Sequence, residues 1–327
     1  MNNILQDARI RRLLTPPDNT SAQWSADLER FERGDMTLTR QSAGEDSIKA
    51  IQRLLIFLGY STASTGAFLI DGDFGRGTNR AVAQFQFEHG LAKTIARKTL
   101  CYECTWQTAA QKIVAIPDAR LTSATLARML EVAQASIERG ATLCGNFDEA
   151  LFHIDALHRR KLLSCAEIAA RYRRFVDQAI AEVAVEGIRI AHFWPLAIIK
   201  QETSGIVRPR FEQHLLTRMN KTNNRGDLVE LRYRSMSMGL GQVLGQNYQV
   251  VKASSARAMY SSSIAEQIAQ VARFLAANKS IATIVSNDKP AEAEFRAVAK
   301  VYNGPGYEKH HYHESLARWF REFKAIA

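Results

Sequence analysis

The sequence predicts a mainly α-helical protein of two domains that contains one small β-sheet. Its 327 residues exceed the length at which a single hydrophobic core usually stops growing. Apolar residues recur at helical spacing through most of the chain. Only the stretch from about 227 to 245 combines β-compatible residues with a glycine-rich end. Helices therefore dominate the prediction, and the strands are confined to that stretch.

Residues 1–45 form a segment to which the sequence assigns no role. They are polar, contain Pro16 and Pro17, and show only weak apolar periodicity.

The next segment predicts two short helices around a turn. The apolar positions of the first helix are Ile48, Ile51, Leu55 and Leu58. Gly59 follows where a C-terminal glycine cap belongs. A polar loop and the turn 71–75 come next, and Thr78 is predicted to cap the second helix. Such a unit is too small to be an enzyme.

Residues 92–120 have the character of an irregular insertion, and helical patterns resume after it. They continue from Leu126 to Ile180, and again from Ile264 to Phe323. Between these two regions, the β-compatible residues are Leu228, Val229, Leu231 and Tyr233.

The formal net charge of +10 favours a polyanionic partner. No nucleic-acid-binding motif is present, so we expect no nucleic acid partner. No apolar run approaches the roughly 20 residues that span a bilayer, and no signal peptide is visible. We therefore expect a monomer that does not bind a membrane, is made in the cytoplasm and reaches any outside target by another route.

We expect no cofactor and no metal. Cys101 and Cys104 have zinc-ligand spacing, but no matching second pair exists, which favours reduced thiols. The histidines at 310, 311 and 313 are interpreted as a solvated loop.

Residues 48–91 resemble the peptidoglycan-binding domain family found beside many wall hydrolases. The matching residues are Ile51, Gln52, Leu55, Leu58, Gly59, Tyr60, Asp71, Gly72, Phe74, Gly75, Thr78, Ala81, Val82, Phe85, Gln86, Gly90 and Leu91. Most of these are core or backbone positions. Ligand contact is predicted only for Asp71, Phe74 and Gln86. The third helix of this family has its counterpart at 121–130, which gives a predicted domain of 46–140.

Residues 193–205 predict a helix that ends beside a carboxylic acid. Pro195 suits the first turn, and Gly205 suits the end. Glu202 falls on the same face as Ile198 and Ile199. Apolar surroundings and the negative end of the helix dipole both oppose ionisation and raise the pKa, as a general acid requires. Pairing of Glu202 with Lys200 or with a nearby arginine at the helix end is the alternative.

The second half of the chain resembles the N-acetylmuramidase family of phage endolysins. The resemblance rests on the blocks 202–205, 211–214, 237–248 and 302–307, in the expected order. Gln213, Thr203 and Met238 depart from the residues usual in the family, but no carboxylate is lost. The predicted catalytic domain is 165–327, behind a helical linker at 141–164.

This resemblance implies a lysozyme-like α+β fold and cleavage of the β-1,4 bond between N-acetylmuramic acid and N-acetylglucosamine. Glu202 would be the acid, with Glu212 or Asp227 as the second carboxylate. A separation of roughly 6.5–9.5 Å would suit an inverting water and about 5–5.5 Å a retaining nucleophile. Without a base, the muramyl 6-hydroxyl would attack, as in a lytic transglycosylase.

Five further residues are candidates for sugar binding, each with a structural alternative: Ser237, Gln242, Tyr302, Asn303 and Tyr307. The amides of Gln242 and Asn303 both donate and accept hydrogen bonds, as acetamido recognition requires. His214 is expected to be a structural partner. Peptidoglycan is the predicted substrate of an endolysin-type enzyme, and a secreted interbacterial effector and a non-catalytic wall-binding protein are the alternatives.

Overall fold

The computed structural model describes residues 4–17, 23–36, 44–91, 121–221 and 228–327. The chain divides into two compact units. The first unit comprises Met1–Arg160 and Pro209–Met236, and the second comprises Lys161–Arg208 and Ser237–Ala327. These units group residues by contact, so the predicted domain boundaries stay a prediction.

Helices dominate the described residues, as the sequence predicts. In chain order they are α1 (Ala8–Leu14), α2 (Gln23–Glu32), α3 (Glu45–Phe57), α4 (Arg76–Glu88), α5 (Ser123–Glu138), α6 (Phe147–His158), α7 (Cys165–Ala184), α8 (Phe193–Thr203), α9 (Gln213–Lys221), α10 (Leu228–Arg234), α11 (Ala256–Tyr260), α12 (Ile264–Ala277), α13 (Ala282–Val285), α14 (Glu292–Asn303) and α15 (Tyr312–Ala325). Short 3₁₀ helices lie at Ile4–Gln6, Leu143–Gly145, Gly245–Asn247 and Lys279–Ile281.

The described residues also contain three short strands: β1 (Arg210–Phe211), β2 (Met236–Met238) and β3 (Val243–Leu244). Their order in the sheet is β1-β2-β3. Strands β2 and β3 form an antiparallel hairpin in which Ser237 pairs with Leu244 and Met238 with Val243. The predicted mainly α fold with one small sheet is confirmed.

Helix α3 confirms the first predicted helix of the 48–91 segment. Its residues from Ser47 to Phe57 are buried apart from Lys49. Gly59 follows with φ +91°, and its N–H donates to Ile56 O, as expected of a glycine at a helix C-terminus.

The prediction that Thr78 caps the following helix is wrong. Helix α4 begins at Arg76, and Gly75 occupies the N-cap position. The Thr78 hydroxyl is buried and donates to Asp73 O at 3.1 Å, and it accepts a bond from Gln52 Nε2 at 3.1 Å. A hydroxyl near a helix start predicts a cap, but here a tertiary contact uses that hydroxyl.

Helices α1 and α2 lie in the segment to which the sequence assigned no role. Both contact α3, and α2 also contacts α5. Their buried apolar residues include Ile10, Leu13, Leu14, Leu28 and Phe31. The start of the chain is therefore part of the core of the first unit.

Helix α5 follows the predicted insertion and contacts α3 and α4. Thr122 caps its N-terminus by accepting a hydrogen bond from Thr125 N at 3.1 Å. Its buried apolar stripe is Leu126, Met129, Leu130 and Ala133, whereas Ile137, which has the same spacing, is only partly buried. The insertion, with Cys101 and Cys104, lies outside the described residues.

The strand predicted at 228–233 is wrong, because this stretch forms helix α10. Leu231, Arg232 and Tyr233 are all buried, so the segment is enclosed on several sides. Strand propensity mainly reflects packing on a half-buried surface, and tertiary packing overrides it here. The predicted hairpin begins only at Met236.

The second unit is built around helix α8. Helix α15 and helix α7 both contact α8, and α12 packs along α7. The fully buried Trp194 of α8 lies against the rings of Phe295 and Phe320, with centroids 5.1 and 4.9 Å away. In the part of the chain that the structure describes, no helix is long and apolar enough to cross a membrane.

Candidate functional site

The predicted acid lies at the C-terminal end of helix α8. Pro195 is in its first turn, and the helix ends at Thr203. Ser204 and Gly205 then take left-handed backbone conformations, with φ +48° and +77°. A Cβ on Gly205 would lie 2.8 Å from Ile168 Cγ1, so only glycine fits this turn. The predicted helix end is confirmed.

Thr203 fixes this helix end to the hairpin of the second unit. Its side chain is buried, and its hydroxyl lies 2.7 Å from Leu240 O and 3.1 Å from Ile199 O. The position next to Glu202 is therefore held by hydrogen bonds to two elements, which restricts the direction in which Glu202 leaves the helix.

Glu202 itself is half-buried and has one short hydrogen bond. The Tyr312 hydroxyl donates to Glu202 Oε1 at 2.5 Å. Burial raises the pKa of Glu202 to about 7, against the lowering effects of the Tyr312 hydrogen bond and of the positive charge of Arg208. The carboxyl group thus holds a proton near neutral pH while one side of the residue remains accessible.

Lys200 is engaged elsewhere. Its ammonium donates to Leu163 O at 2.6 Å and lies 5.0 Å from the centre of the Trp319 ring. Of the nearby cations, Arg208 is the one whose charge acts on Glu202, and its own guanidinium donates to the backbone Glu202 O at 3.4 Å. These contacts therefore support the nearby arginine of the alternative considered for Glu202 and give no support to pairing with Lys200.

Two tyrosines lie beside the acid. Burial and the charge of Glu202 raise the pKa of both Tyr302 and Tyr312 well above the ordinary range. The Tyr302 hydroxyl donates to Gly241 O at 2.7 Å, and its ring meets the edge of Phe274. Tyr302 therefore has a structural contact and also lies close to the predicted acid.

The β2–β3 turn orients Gln242, another predicted sugar-binding residue. Gln242 adopts φ +50°, and its amide donates to Gly239 O at 3.1 Å. A Cβ on Gly241 would lie 2.3 Å from Val271 Cγ2, so the turn packs closely on α12. Ser237 lies in β2 opposite Leu244, and it is half-buried.

The remaining predicted sugar-binding residues lie at the end of α14 and shortly after it. Asn303 is its last residue and is exposed. Tyr307 donates to Glu308 Oε1 at 2.8 Å, and its ring meets the edge of His313. His313 is buried in α15, so the interpretation of residues 310–313 as a solvated loop is wrong at this position.

Glu212, a predicted second carboxylate, belongs to the first unit. Its Oε1 lies 3.0 Å from Arg210 Nε, and its Oε2 lies 3.8 Å from His214 Nδ1. Asp227, the other candidate, lies outside the described residues. The identity of a second carboxylate stays a prediction.

The wall-binding residues predicted in the first unit have mainly structural contacts. Asp71 is exposed and accepts a hydrogen bond from the buried Gln52 at 2.7 Å. Phe74 and Gln86 are buried, and Gln86 donates to Thr125 Oγ1 at 3.0 Å. Burial argues against direct ligand contact by Phe74 and Gln86, whereas Asp71 remains accessible.

Sequence reasoning missed Tyr312 and did not specify which arginine, Arg208, lies near Glu202. Tyr312 lies 110 positions from Glu202, and no local pattern links the two. Within the described residues, no cluster of three His, Cys, Asp or Glu side chains could hold a metal ion. Cys144 and Cys165 are both buried.

Comparison with known proteins assigns two parts of the chain to families. Residues 216–324 match the N-acetylmuramidase family, and residues 44–94 match the putative peptidoglycan binding domain. The muramidase match includes Tyr302, Asn303 and Tyr307 but begins after Glu202 and Glu212. A search of curated proteins finds no match.

Among solved structures, the Burkholderia AP3 phage endolysin is similar to this chain. The two share 17% identity over 89% of this chain and 100% of the endolysin chain, with a TM-score of 0.36. A score at this level does not establish a common overall arrangement.

The chain is therefore a peptidoglycan hydrolase that combines a peptidoglycan-binding domain with a muramidase domain. Its predicted class, a glycoside hydrolase acting on peptidoglycan, is confirmed at the level of these domains.

Proposed function

We propose that the protein is an endolysin-type N-acetylmuramidase with Glu202 as its general acid. It cleaves the β-1,4 bond between N-acetylmuramic acid and N-acetylglucosamine. One observation carries the proposal: Glu202 ends an apolar helix half-buried, with a pKa of about 7. An acid with this pKa is protonated to a large extent at neutral pH and still transfers its proton readily.

The contacts of Glu202 support a defined direction of proton transfer. Tyr312 donates to Oε1, so the proton of the neutral acid belongs on the other oxygen. From there it passes to the glycosidic oxygen as the bond to the sugar C1 breaks toward an oxocarbenium-like state. Arg208 and Tyr312 then stabilise the carboxylate that is left behind, since both favour the ionised form.

Substrate binding on this proposal uses the residues around the acid. Tyr302 lies beside Glu202, and Gln242 projects from the turn that Tyr302 contacts. Ser237, Asn303 and Tyr307 are the further candidates. The exposed Asn303 amide is suited to a sugar acetamido group, because it both donates and accepts hydrogen bonds.

The second half of the reaction depends on which group attacks the sugar C1. A water activated by Glu212 or Asp227 gives hydrolysis, and the muramyl 6-hydroxyl gives an anhydro product. The contacts described around Glu202 are to a phenol and a guanidinium, neither of which is a base at neutral pH. Hydrolysis therefore needs a base outside these contacts, and we propose it with Glu212 or Asp227 in that role. The muropeptide product identifies the attacking group.

The test is digestion of purified peptidoglycan with wild type, Glu202→Gln and Glu292→Gln, followed by mass spectrometry of the released muropeptides. Glu292→Gln is the control, because Glu292 lies exposed at the start of α14. Glu202→Gln keeps the shape of the side chain without its proton and should lower the rate about 10²–10⁴-fold. Reducing muramic acid ends support a muramidase, and anhydro ends indicate a transglycosylase. Equal cleavage by Glu202→Gln would contradict the assignment.

A further inference from the structure

The first unit contains a polar cleft, and Glu212 is the one side chain lining it that is also a candidate in the proposed reaction. Its volume is about 290 Å³. The side chains that line it include Ser64, Thr65, Arg210, Glu212, Gln213 and His214. Residues 64 and 65 lie within the peptidoglycan-binding match, whereas 210–214 lie between the two family matches. Two separate parts of the sequence thus form one cleft inside the first unit.

The two walls of the cleft are held together by backbone contacts. Phe211 N donates to Gly66 O at 2.9 Å, and Ala67 and Arg210 form an antiparallel bridge. A Cβ on Gly66 would lie 1.9 Å from Phe211 O, so glycine is required for this approach. The cleft therefore has a fixed width before any ligand enters.

Arg80 makes the floor of the cleft rigid. Its buried guanidinium donates to Ala63 O at 2.6 Å and to Ser61 Oγ at 2.8 Å. It also lies 5.5 Å from the centre of the Phe211 ring. Phe211 is itself buried, so it offers no open aromatic face on which a sugar ring could stack.

The accessible groups of the cleft carry opposite charges. The side chains of Arg210 and Glu212 are 56% and 23% exposed and form an ion pair at 3.0 Å. A pair exposed to this degree contributes only about 0–1 kcal/mol, so a ligand can take over either partner at small cost. The hydroxyls of Ser64 and Thr65 and the Gln213 amide supply neutral donors and acceptors.

On this basis we propose that the cleft binds the peptide stem of peptidoglycan through a carboxylate on Arg210 and an ammonium on Glu212. The stem carries free carboxylates and, at its diamino residue, a free ammonium. The volume lies just below the about 300–1,000 Å³ typical of sites for drug-sized ligands, so it suits one or two amino acid residues better than a disaccharide. This inference deepens the proposed function and rests on peptidoglycan as the substrate.

The experiment measures binding in the Glu202→Gln background, in which cleavage does not consume the ligand. The probes are the disaccharide tetrapeptide and the same disaccharide without its peptide, titrated by calorimetry. The parent should bind the tetrapeptide more tightly than the peptide-free sugar. Arg210→Ala should weaken tetrapeptide binding about 10- to 100-fold, as expected for the loss of a charged hydrogen-bonding partner. Arg128→Ala, which removes an exposed arginine of α5, is the matched control and should change nothing.

A second comparison tests the ammonium site without removing a wall of the cleft. Acetylation of the stem ammonium should weaken binding to the parent but not to Glu212→Gln, because that variant has already lost the complementary charge. The proposal is overturned if the parent binds the tetrapeptide and the peptide-free disaccharide equally well, or if Arg210→Ala binds the tetrapeptide as tightly as the parent does. If the parent shows no preference for the tetrapeptide while wild type cleaves peptidoglycan in a Glu202-dependent way, only the cleft proposal fails. If the parent binds the tetrapeptide as expected but wild type does not cleave, only the catalytic assignment fails.

Discussion

At the scale of single residues, the competition between burial and two favourable contacts decides the state of Glu202. Burial opposes the charged form, whereas Tyr312 and Arg208 favour it, and burial prevails. The pKa rises from 4.5 to about 7. At 1.36 kcal/mol per pKa unit, the folded protein disfavours the ionised carboxylate by about 3 kcal/mol.

The first prediction concerns the pH dependence of cleavage. A general acid must be protonated, so kcat/KM should fall as the pH rises through about 7. Tyr312→Phe removes a hydrogen bond that lowers the pKa of Glu202, so the alkaline limb should move to higher pH. Rates on a soluble glycan between pH 5 and 9 provide the measurement. An alkaline limb that stays in place or moves to lower pH would show that the Tyr312 hydroxyl does not lower the pKa of Glu202.

The second prediction concerns stability. Between pH 4.5 and about 7 the folded state holds a proton on Glu202 that the unfolded state has released. The free energy of unfolding therefore decreases as the pH rises through this window. Glu202→Gln removes that dependence and should be more stable than wild type by up to about 3 kcal/mol at pH 8, with a smaller difference at pH 4.5. Urea unfolding of both proteins at pH 8 and pH 4.5 measures the difference in their free energies of unfolding. The same difference at both pH values would contradict the raised pKa of Glu202.

At the scale of elements, a buried ion pair joins α10 to α4 within the first unit. Arg232 Nε donates to Glu88 Oε1 at 2.6 Å, and the two side chains are 2% and 4% exposed. The Arg232 guanidinium also donates to Gly59 O and lies 4.3 Å from the centre of the Tyr60 ring. Each nitrogen of the Arg232 guanidinium thus donates to a residue within the segment 44–94 that matches the peptidoglycan-binding domain.

The third prediction is that breaking this pair destabilises the first unit strongly. Glu88→Gln leaves a buried arginine without its counter-charge, which typically costs about 3–5 kcal/mol. Arg128→Ala, which removes an exposed side chain of α5, should change stability by less than about 0.5 kcal/mol. Chemical denaturation of both variants compares the two effects. A loss below about 1 kcal/mol for Glu88→Gln would mean that the pair is hydrated in solution.

At the scale of the whole molecule, the two units alternate along the chain, because each of them consists of two separate segments. The segment 209–236 belongs to the first unit, although the second unit precedes and follows it in sequence. The chain therefore passes between the units at 160/161, 208/209 and 236/237. No single cut of the chain separates the two units.

The fourth prediction is that residues 161–327 do not form an intact fragment alone. Without residues 1–160, the buried side chains of Leu231, Arg232 and Tyr233 lose the rest of the first unit. Limited proteolysis should cleave the fragment within 209–236, at sites that are protected in the full chain. Co-expression with residues 1–160 should restore the protection. Equal protection of the isolated fragment would show that the segment folds without the first unit.

The sequence by itself determined the local features of this protein. Helical spacing gave α3, α5 and α8, and the glycines at 59 and 205 marked helix ends, because cap geometry depends on neighbouring residues alone. Glu202 was found in the same way, since its helix face and the helix end lie within a few positions of it. The family resemblances identified the substrate from short strings of residues.

The tertiary structure alone decided which distant residues meet. Tyr312 reaches Glu202 across 110 positions, and α10 is a helix because the first unit encloses it, despite residues that favour strand. The same holds for the cleft between residues 64–66 and 210–214. Such contacts depend on how elements pack, and the spacing of residues within one element carries no information about a partner a hundred positions away.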